Sequence, residues 1–254
     1  PNVHAYQNYK GSPILRKAFA DWYQTWYNVS LNPDTEILPL IGSKEGIMHI
    51  CMTYLNEGDE VITIPFTFVA TVEVVALLKL KPVFVDVDPN TFNIDVNAIE
   101  SKITSKTKVI IPVHLFGQSA DMQKIMAIAA KHNLIVIEDN AQAIGCDYTF
   151  SDGRKQKTGT IGHIGTTSFY PTKNLGAYGD GGALFTNDDD IANKIKIICD
   201  HGSAKKYYYD SIGVNSRLDS MQAAILNAKL PHLDTYNQKR QAAAAQYDNL
   251  LIDI

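Results

Sequence analysis

Two ionisable residues stand out because each of them follows a segment with the composition of a buried strand. Asp139 ends the apolar run LIVIED, and Lys173 lies in SFYPTKNLG, just past another apolar run. Ligands of open α/β sheets bind at the carboxyl ends of the strands, which is where both residues would lie. The neighbours of Lys173 are aromatic, proline and glycine residues, and a lysine in such a pocket can acquire a low pKa and form a Schiff base. Asp139, considered alone, is more simply interpreted as a cap or turn residue.

Considered as a pair, Asp139 and Lys173 match the requirements of pyridoxal phosphate. The lysine would bind the aldehyde of this cofactor, and the carboxylate would keep the ring nitrogen protonated so that the ring can take up carbanion charge. The motif IGSKEGI offers a phosphate site, because Gly42 and Ser43 lead from a strand into a helix whose first N–H groups favour an anion. Simple capping of the helix by Ser43 explains the same motif equally well.

Strand-like and helical segments alternate along most of the chain. The runs EVITI, PVFVDV, KVIIPV and LIVIED are nearly continuously apolar, which is typical of strands covered by helices on both faces. Their alternation with helical segments such as DMQKIMAIAAKHN predicts an α/β fold with a doubly wound, mostly parallel sheet. GTTSFY and GGALFT are joined by a glycine-rich turn without a helix, so we expect at least one antiparallel strand.

The first helix is predicted over SPILRKAFADWYQTWYN, where Ser12 suits the cap position. Apolar residues recur at helical spacing along this segment, and we expect the face that they share to be buried. These residues are Ile14, Ala18, Trp22 and Trp26.

Composition excludes several classes of protein. The 254 residues suffice for one large domain, and a formal net charge of -4 argues against a nucleic-acid-binding protein. Cys51, Cys146 and Cys199 form no CxxC pair and no cluster with histidine, so neither a disulfide framework nor a metal site is predicted. Such cysteine usage is typical of a reducing compartment. No apolar run is long enough to cross a bilayer, and the first residues lack a signal-peptide pattern, so we expect a cytoplasmic protein without a membrane partner.

From about Gly58 to Leu251 the sequence resembles the DegT family of nucleotide-sugar aminotransferases. The resemblance is carried by GDEVITIPFTFVATVEVV, KPVFVDVDPNTFNID, IIPVHLFGQSADM, VIEDNAQAIG, TTSFYPTKNLGAYGDGGALFTND and GVNSRLDSMQAAIL. It implies the large domain of a fold type I pyridoxal-phosphate-dependent transferase, with a mostly parallel, seven-stranded sheet between helices. It also implies transfer of an amino group, with glutamate as the expected donor, to a keto-sugar nucleotide in polysaccharide or amino-sugar biosynthesis. A homodimer with a shared active site is expected.

The resemblance also implies roles for individual residues. Lys173 is the Schiff-base lysine, and since some relatives are dehydratases with histidine there, a lysine favours transamination. The other implied contacts are Asp139 with the pyridine nitrogen, Gln142 with the phenolic oxygen, Phe68 with the ring face, Ser168 with the phosphate, Asn215 with a neighbouring subunit's phosphate and Arg217 with the substrate.

Two further substrate contacts are predicted in a polar loop near the C-terminal end of this region. His201 in DHGS is one of them. Tyr208 in KKYYYD is the other, since an aromatic and basic segment of this kind can stack a nucleotide base. A contact between subunits explains that segment equally well.

The first part of the chain resembles a different branch. HAYQNYKGSPILRKAFADWYQTWY, NPDTEILPLIGSKEGI and MTYLNEGDEV are similar to class I/II amino-acid aminotransferases of the LL-diaminopimelate aminotransferase kind. By that resemblance Tyr6 contacts the partner subunit's phosphate. In the cradle formed by Gly42, Ser43 and Lys44, the serine can serve the DegT arrangement, whereas the lysine is foreign to it.

These resemblances predict three parts of the chain. Residues 1–57 form a class I/II-like N-terminal segment, residues 58–230 form the pyridoxal-phosphate-binding large domain, and residues 231–254 begin a helical connection to a C-terminal small domain that is largely missing. Two alternatives to the sugar aminotransferase stay open. One is an amino-acid aminotransferase of the class I/II type, and the other is a truncated or chimeric cofactor-binding fragment without turnover.

Overall fold

The chain folds around one large sheet, and the computed structural model describes residues 10–205 and 207–252. Within these ranges the strands are β1 (Leu38–Leu40), β2 (Glu60–Thr63), β3 (Lys81–Phe84), β4 (Thr107–Ile110), β5 (Ile135–Asp139), β6 (Asp147–Thr149), β7 (Lys155–Lys157), β8 (Ile164–Ser168) and β9 (Gly182–Phe185). The helices are α1 (Pro13–Tyr27), α2 (Ser43–Tyr54), α3 (Ala70–Leu77), α4 (Val96–Ile99), α5 (Met122–His132), α6 (Asp189–Cys199), α7 (Ser220–Lys229) and α8 (Leu233–Leu250). Short 3₁₀ turns cover Glu100–Lys102, Leu115–Gly117 and Leu230–His232.

The large sheet has seven strands in the order β1-β9-β8-β5-β4-β2-β3. The pairs β2–β3, β2–β4, β4–β5 and β5–β8 are parallel, whereas β9 runs antiparallel to both β8 and β1. The prediction of a mostly parallel sheet with an antiparallel addition is therefore confirmed. β6 and β7 form a separate antiparallel hairpin.

Helices cover both faces of the sheet, and successive residues of each central strand alternate between them. Val61, Val109 and Ile137 belong to a buried cluster with side chains of α2, α3 and α6. Their neighbours Ile62, Ile110 and Val136 belong to a second cluster with side chains of α5. Because both faces are buried, these strands are continuously apolar, as the sequence indicates.

α1 forms where the sequence predicts it, but its buried face matches the predicted one only in part. The Ser12 Oγ accepts a hydrogen bond from the N–H of Leu15 at 3.4 Å, which caps the helix. Leu15 and Phe19 are fully buried, whereas Ile14 is 69% exposed. Of the predicted face, Trp22 is buried and Ala18 packs against the core, so the prediction is wrong for Ile14 only. The side chain of Trp26 lies outside the described part of the structure. Adjacent rows of this helix are both apolar, and packing of Phe19 against Phe169 at a ring distance of 5.7 Å selects one of them.

Over the described residues, none of the helices combines the length and the apolar character that crossing a membrane requires.

Candidate active site

Asp139 lies at the carboxyl end of β5 and is 6% exposed. Its Oδ2 accepts a hydrogen bond of 2.7 Å from the hydroxyl of Thr71, and its Oδ1 accepts one of 3.1 Å from the N–H of Ala141. Its backbone N–H donates to the carbonyl of Pro112, which continues the pairing of β5 with the segment after β4. The carboxylate is thus held by both a neighbouring helix and its own loop.

Lys173 lies in the turn that follows β8, and its backbone N–H donates to the carbonyl of Tyr170 at 2.8 Å. The side chain is half-buried. Burial lowers the pKa of Lys173, and the negative charge of Asp139 acts in the opposite direction. A lowered pKa increases the fraction of neutral amine near neutral pH, which is the nucleophilic form.

A cavity of about 410 Å³ joins these two side chains. Asp139 and Lys173 both line it, at the carboxyl ends of neighbouring strands of the sheet, as the rule for open α/β sheets predicts. Over the described residues no ion pair within 4.0 Å connects the two, so the amine and the carboxylate line the cavity without contacting each other as an ion pair. Residues predicted for the cofactor line the rest of it, namely Gly42, Ser43, Lys44, Phe68, Gln142 and Ser168.

The start of α2 offers free backbone donors to this cavity. Gly42 is the cap residue of the helix, and no side chain caps the first N–H groups, so Ser43 is the first helical residue and does not cap it. A side chain at Gly182 would collide with the backbone of Gly42, and only glycine lets β9 approach the helix start this closely. Uncapped N–H groups at a helix start favour an anion.

Ser168, at the end of β8, is buried beside this helix start in the lining of the cavity. Its Oγ accepts a hydrogen bond from the N–H of Tyr170 at 3.3 Å, which leaves its own proton free to donate. Lys44 is exposed at the rim. A hydroxyl and helical N–H groups at one end, with an amine and a carboxylate elsewhere in the lining, fit the phosphate, aldehyde and ring nitrogen of pyridoxal phosphate.

Gln142 and Phe68 also line the cavity. The Oε1 of Gln142 accepts a hydrogen bond of 2.9 Å from the N–H of Phe116, so its amide hydrogens are oriented away from that contact. Phe68 lies between β2 and α3 and is 69% exposed. An aromatic ring that is exposed at a cavity has a face available for stacking.

The remaining predicted residues do not line this cavity. Asn215, His201 and Tyr208 are exposed, and Lys205 lies over the ring of Tyr208 at 5.2 Å. Arg217 is half-buried and its Nη1 lies 3.9 Å from Asp200 Oδ1. Tyr6 lies outside the described residues.

The segment that contains Asn215 and Arg217 is nevertheless attached to the cradle. The backbone of Arg217 pairs with Leu40, two residues before Gly42. Ser216 lies between Asn215 and Arg217, and its hydroxyl donates to Glu45 Oε2 at 2.8 Å and accepts from His49 Nε2 at 2.9 Å. Burial lowers the pKa of His49 to about 4. This buried connection fixes the segment against α2.

A second buried carboxylate precedes Asp139 and points to the other side of the strand. Glu138 is fully buried and accepts hydrogen bonds from the N–H groups of Gly159, Ile161 and Gly162 at 2.6 to 2.8 Å. It also accepts one of 2.9 Å from His114 Nε2. Glu138 therefore anchors the loop between β7 and β8, and its four donors explain how a carboxylate can be buried there.

Sequence reasoning missed several of these contacts. Thr71, which is 3% exposed, holds Asp139, and Ser216 fixes the segment between α6 and α7 against α2. Hydroxyl residues are common, and nothing in the sequence distinguishes these two. Their partners lie far away along the chain, so only folding brings them together. Over the described residues there is no group of histidine, cysteine and carboxylate side chains that could hold a metal ion.

Comparison with known proteins is consistent with this geometry. The sequence profile of the DegT/DnrJ/EryC1/StrS aminotransferase family matches residues 15–254, which includes most of the segment that resembles class I/II enzymes. The chain is 53% identical over 212 residues to "Pleiotropic regulatory protein" of Geobacillus stearothermophilus, which covers 83% of this chain and 56% of that protein. It is 45% identical over 234 residues to "UDP-2-acetamido-2-deoxy-3-oxo-D-glucuronate aminotransferase" of Pseudomonas aeruginosa, which covers 92% of this chain and 62% of that enzyme.

A solved structure gives a comparison of the fold. The crystal structure of NtdA from Bacillus subtilis with bound cofactor PMP matches 96% of this chain and 54% of its own, with a TM-score of 0.81 and 33% identity. The chain spans somewhat more than half the length of the proteins that it matches. Because the family profile matches nearly the whole sequence, the chain belongs to the DegT/DnrJ/EryC1/StrS aminotransferase family.

Proposed function

We propose that this chain carries the cofactor-binding and catalytic residues of a pyridoxal-phosphate-dependent aminotransferase. The expected reaction moves an amino group from an amino acid, with glutamate as donor, to a keto-sugar nucleotide. The observation that carries the proposal is that Lys173 and Asp139 line one cavity together with a hydroxyl and an uncapped helix start. Membership of the aminotransferase family and the similarity to a UDP-sugar aminotransferase support it.

The residues of the cavity divide the binding of pyridoxal phosphate between them. When bound, the cofactor supplies a protonated ring that takes up the negative charge left when a proton leaves the amino donor. Asp139 would keep the proton on the ring nitrogen, and Thr71 would orient the carboxylate for that purpose. Gln142 would donate from its amide to the phenolic oxygen, and Phe68 would cover one face of the ring.

The phosphate is held by backbone and hydroxyl donors. The first N–H groups of α2, from Ser43 and Lys44, are directed to an anion, and Ser168 adds the proton of its hydroxyl. Because N–H and O–H donors can stabilise a phosphate, no cationic side chain is needed at this end.

Lys173 performs the covalent and proton-transfer steps of this chain. Its amine, with the pKa lowered by burial, would hold the cofactor at the aldehyde carbon. When not bonded to the cofactor, the amine would accept a proton at Nζ from one carbon and return it to another. One group thus acts first as nucleophile and then as base and acid.

We further propose a homodimer in which Asn215 and Tyr6 contact the phosphate in the partner's site, while Arg217, His201 and Tyr208 contact substrate. The position of Asn215 outside the cavity of its own chain is what such an arrangement requires. A role in polysaccharide or amino-sugar biosynthesis in the cytoplasm completes the proposal, and the unpaired state of all three cysteines supports that compartment.

Absorption spectroscopy tests the proposal directly. We expect the protein loaded with pyridoxal phosphate to have a visible absorption band that Lys173→Ala abolishes and that the exposed control Lys131→Ala retains. Glutamate is then supplied with either a keto-sugar nucleotide or a 2-oxo acid. Amino transfer to the sugar supports the proposal, whereas transfer to the 2-oxo acid alone indicates an amino-acid aminotransferase. A protein that stays colourless with excess cofactor contradicts it.

A further inference from the structure

Asn237 connects the two loops that follow Asp139 and Lys173. It lies in the second turn of α8 and does not line the cavity that those residues share. We propose that Asn237 is a positioning residue, which holds Lys173 and Asp139 in their relative places by linking their loops to one helix. This inference rests on the proposed function, because it concerns the two residues to which that function assigns the chemistry.

Both ends of the Asn237 amide are used. Its Oδ1 accepts a hydrogen bond of 2.6 Å from the Nδ2 of Asn174, the residue after Lys173. Its Nδ2 donates to the carbonyl of Ile144, in the loop after Asp139, at 3.1 Å. A carbonyl can only accept, so the amide orientation of Asn237 is determined by its partners. One side chain therefore joins two loops that are separated along the chain.

The fit around Asn237 is close. Gly145 has a φ of +90°, in the region that favours glycine, and a Cβ there would lie 2.8 Å from the Nδ2 of Asn237. Any larger residue would push the amide away from the carbonyl of Ile144. Gly145 thus permits both the turn and the approach of α8.

Asn237 is itself attached to a rigid part of the molecule. Leu233, one turn earlier in α8, is fully buried in a cluster that also contains Ile144 and Leu175. A second contact supports the lysine loop, because Lys229 Nζ donates to the carbonyl of Gly176 at 2.6 Å. The hydrogen bonds of Asn237 therefore fix both loops relative to the hydrophobic core.

The distance between the amine of Lys173 and the carboxylate of Asp139 matters for binding of the cofactor. Its aldehyde and its ring nitrogen lie on one rigid ring, so the amine of Lys173 and the carboxylate of Asp139 must keep a fixed separation. If the loops move independently, the ring can satisfy one residue only at the expense of the other. Loss of Asn237 should therefore weaken cofactor binding although the residue does not line the cavity that contains both Asp139 and Lys173.

The experiment compares Asn237→Ala with Asn174→Ala, which removes only the link to the lysine loop, and with the double variant. Asn249→Ala is the matched control, since Asn249 is exposed farther along the same helix. Pyridoxal phosphate is the probe, and its Kd is measured by absorbance titration. We expect the Kd to rise about tenfold for Asn237→Ala, which removes two hydrogen bonds, and about threefold for Asn174→Ala, which removes one. The double variant should equal Asn237→Ala, because both changes break the same connection.

Two readouts on the cofactor-free protein separate positioning from general stability. Hydrogen–deuterium exchange should increase in residues 140–146 and 170–177 of Asn237→Ala, and only in 170–177 of Asn174→Ala. The pH midpoint for acylation of Lys173, followed by mass spectrometry, should move to lower pH in Asn237→Ala, because Asp139 then acts less on the amine.

The inference is overturned if Asn237→Ala matches Asn249→Ala in Kd and in exchange. It is also overturned if Asn237→Ala lowers the unfolding temperature while the Kd and the midpoint of Lys173 stay unchanged, since the role is then only structural. A wild-type protein that does not bind pyridoxal phosphate contradicts the proposed function instead, and the exchange of the two loops still tests the link.

Discussion

The two ends of the cavity, which the proposed function assigns to the ring and to the phosphate of the cofactor, are built in different ways. At the ring end, Asp139 is a buried side chain at a strand terminus, held by the hydroxyl of Thr71. At the phosphate end, the donors are mainly backbone N–H groups at the start of α2, and Lys44 is exposed. The ring end therefore depends on the identity of particular side chains, whereas the phosphate end depends on where a helix begins.

This difference explains why the phosphate end can tolerate an unusual sequence. The motif GSK contains a lysine that is expected, from the sequence alone, to be foreign to the DegT arrangement, yet backbone N–H groups are supplied by any residue except proline. What the phosphate end does need is correct placement of the helix. Ser216, bonded to Glu45 and His49, and Gly182, which lets β9 approach, provide it.

Asp139→Asn should have the largest effect, because it removes charge at the ring end with little change of shape. Without the carboxylate the ring nitrogen does not keep its proton, and we expect the rate of amino transfer to fall about a thousandfold. The pKa of Lys173 should fall further, since the charge of Asp139 is what raises it against burial. Single-turnover kinetics and pH-dependent acylation of Lys173 measure the two effects. A rate equal to that of the exposed control Asp152→Asn would show that the charge is not used.

The pH dependence of stability tests how α2 is anchored. Burial lowers the pKa of His49 to about 4, so the unfolded chain binds a proton more readily than the folded one. The free energy of unfolding contributed by His49 is therefore complete above its unfolded pKa near 6.5 and is lost as the pH falls towards 4, by as much as about 3 kcal/mol. His49→Gln keeps a donor for Ser216 but does not titrate. We expect the stability difference between wild type and His49→Gln, measured by urea unfolding, to shrink from pH 7 to pH 4.5, and a constant difference would contradict this.

Thr71→Val sharpens the assignment of the ring end. Valine fills the same space but leaves the Oδ2 of Asp139 without its donor, so we expect the Kd for pyridoxal phosphate to rise about tenfold. Thr71→Ser keeps the hydroxyl and should stay within about threefold of the wild type. Absorbance titration gives both values. If Thr71→Ser raises the Kd and Thr71→Val does not, the methyl group matters and the hydrogen bond does not.

The smallest effects are expected at the phosphate end. Ser168→Ala removes one hydroxyl donor, and we expect the Kd for pyridoxal phosphate to rise about fivefold. Lys44→Ala keeps the backbone donor and should change the Kd less than twofold, because an exposed ammonium contributes little. If Lys44→Ala raises the Kd more than Ser168→Ala does, the ammonium group binds the phosphate and the proposed binding by backbone N–H groups is contradicted. The titration is done at low and moderate salt to separate charge effects.

Much of the fold could be predicted because its causes are local. Continuous apolar runs indicated β2, β4 and β5, and the glycine-rich turn between GTTSFY and GGALFT indicated the antiparallel β9. Trp22 was predicted correctly on the buried face of α1, but the exposure of Ile14 could not be predicted, since the rows that start at Ile14 and Leu15 are both apolar. The choice between them came from packing against Phe169, a residue about 150 positions away in the sequence.

The chemistry-bearing residues follow the same division. The sequence by itself determined that Asp139 ends one strand-like segment and that Lys173 follows another, because the composition of a strand and the residues that come after it are local properties of the sequence. Only the tertiary structure decided which groups support them, namely Thr71 for the carboxylate, Ser216 for the helix start and Asn237 for the two loops. The physical reason is that a hydrogen bond requires two groups within about 3 Å, and that proximity is created by folding rather than by order along the chain.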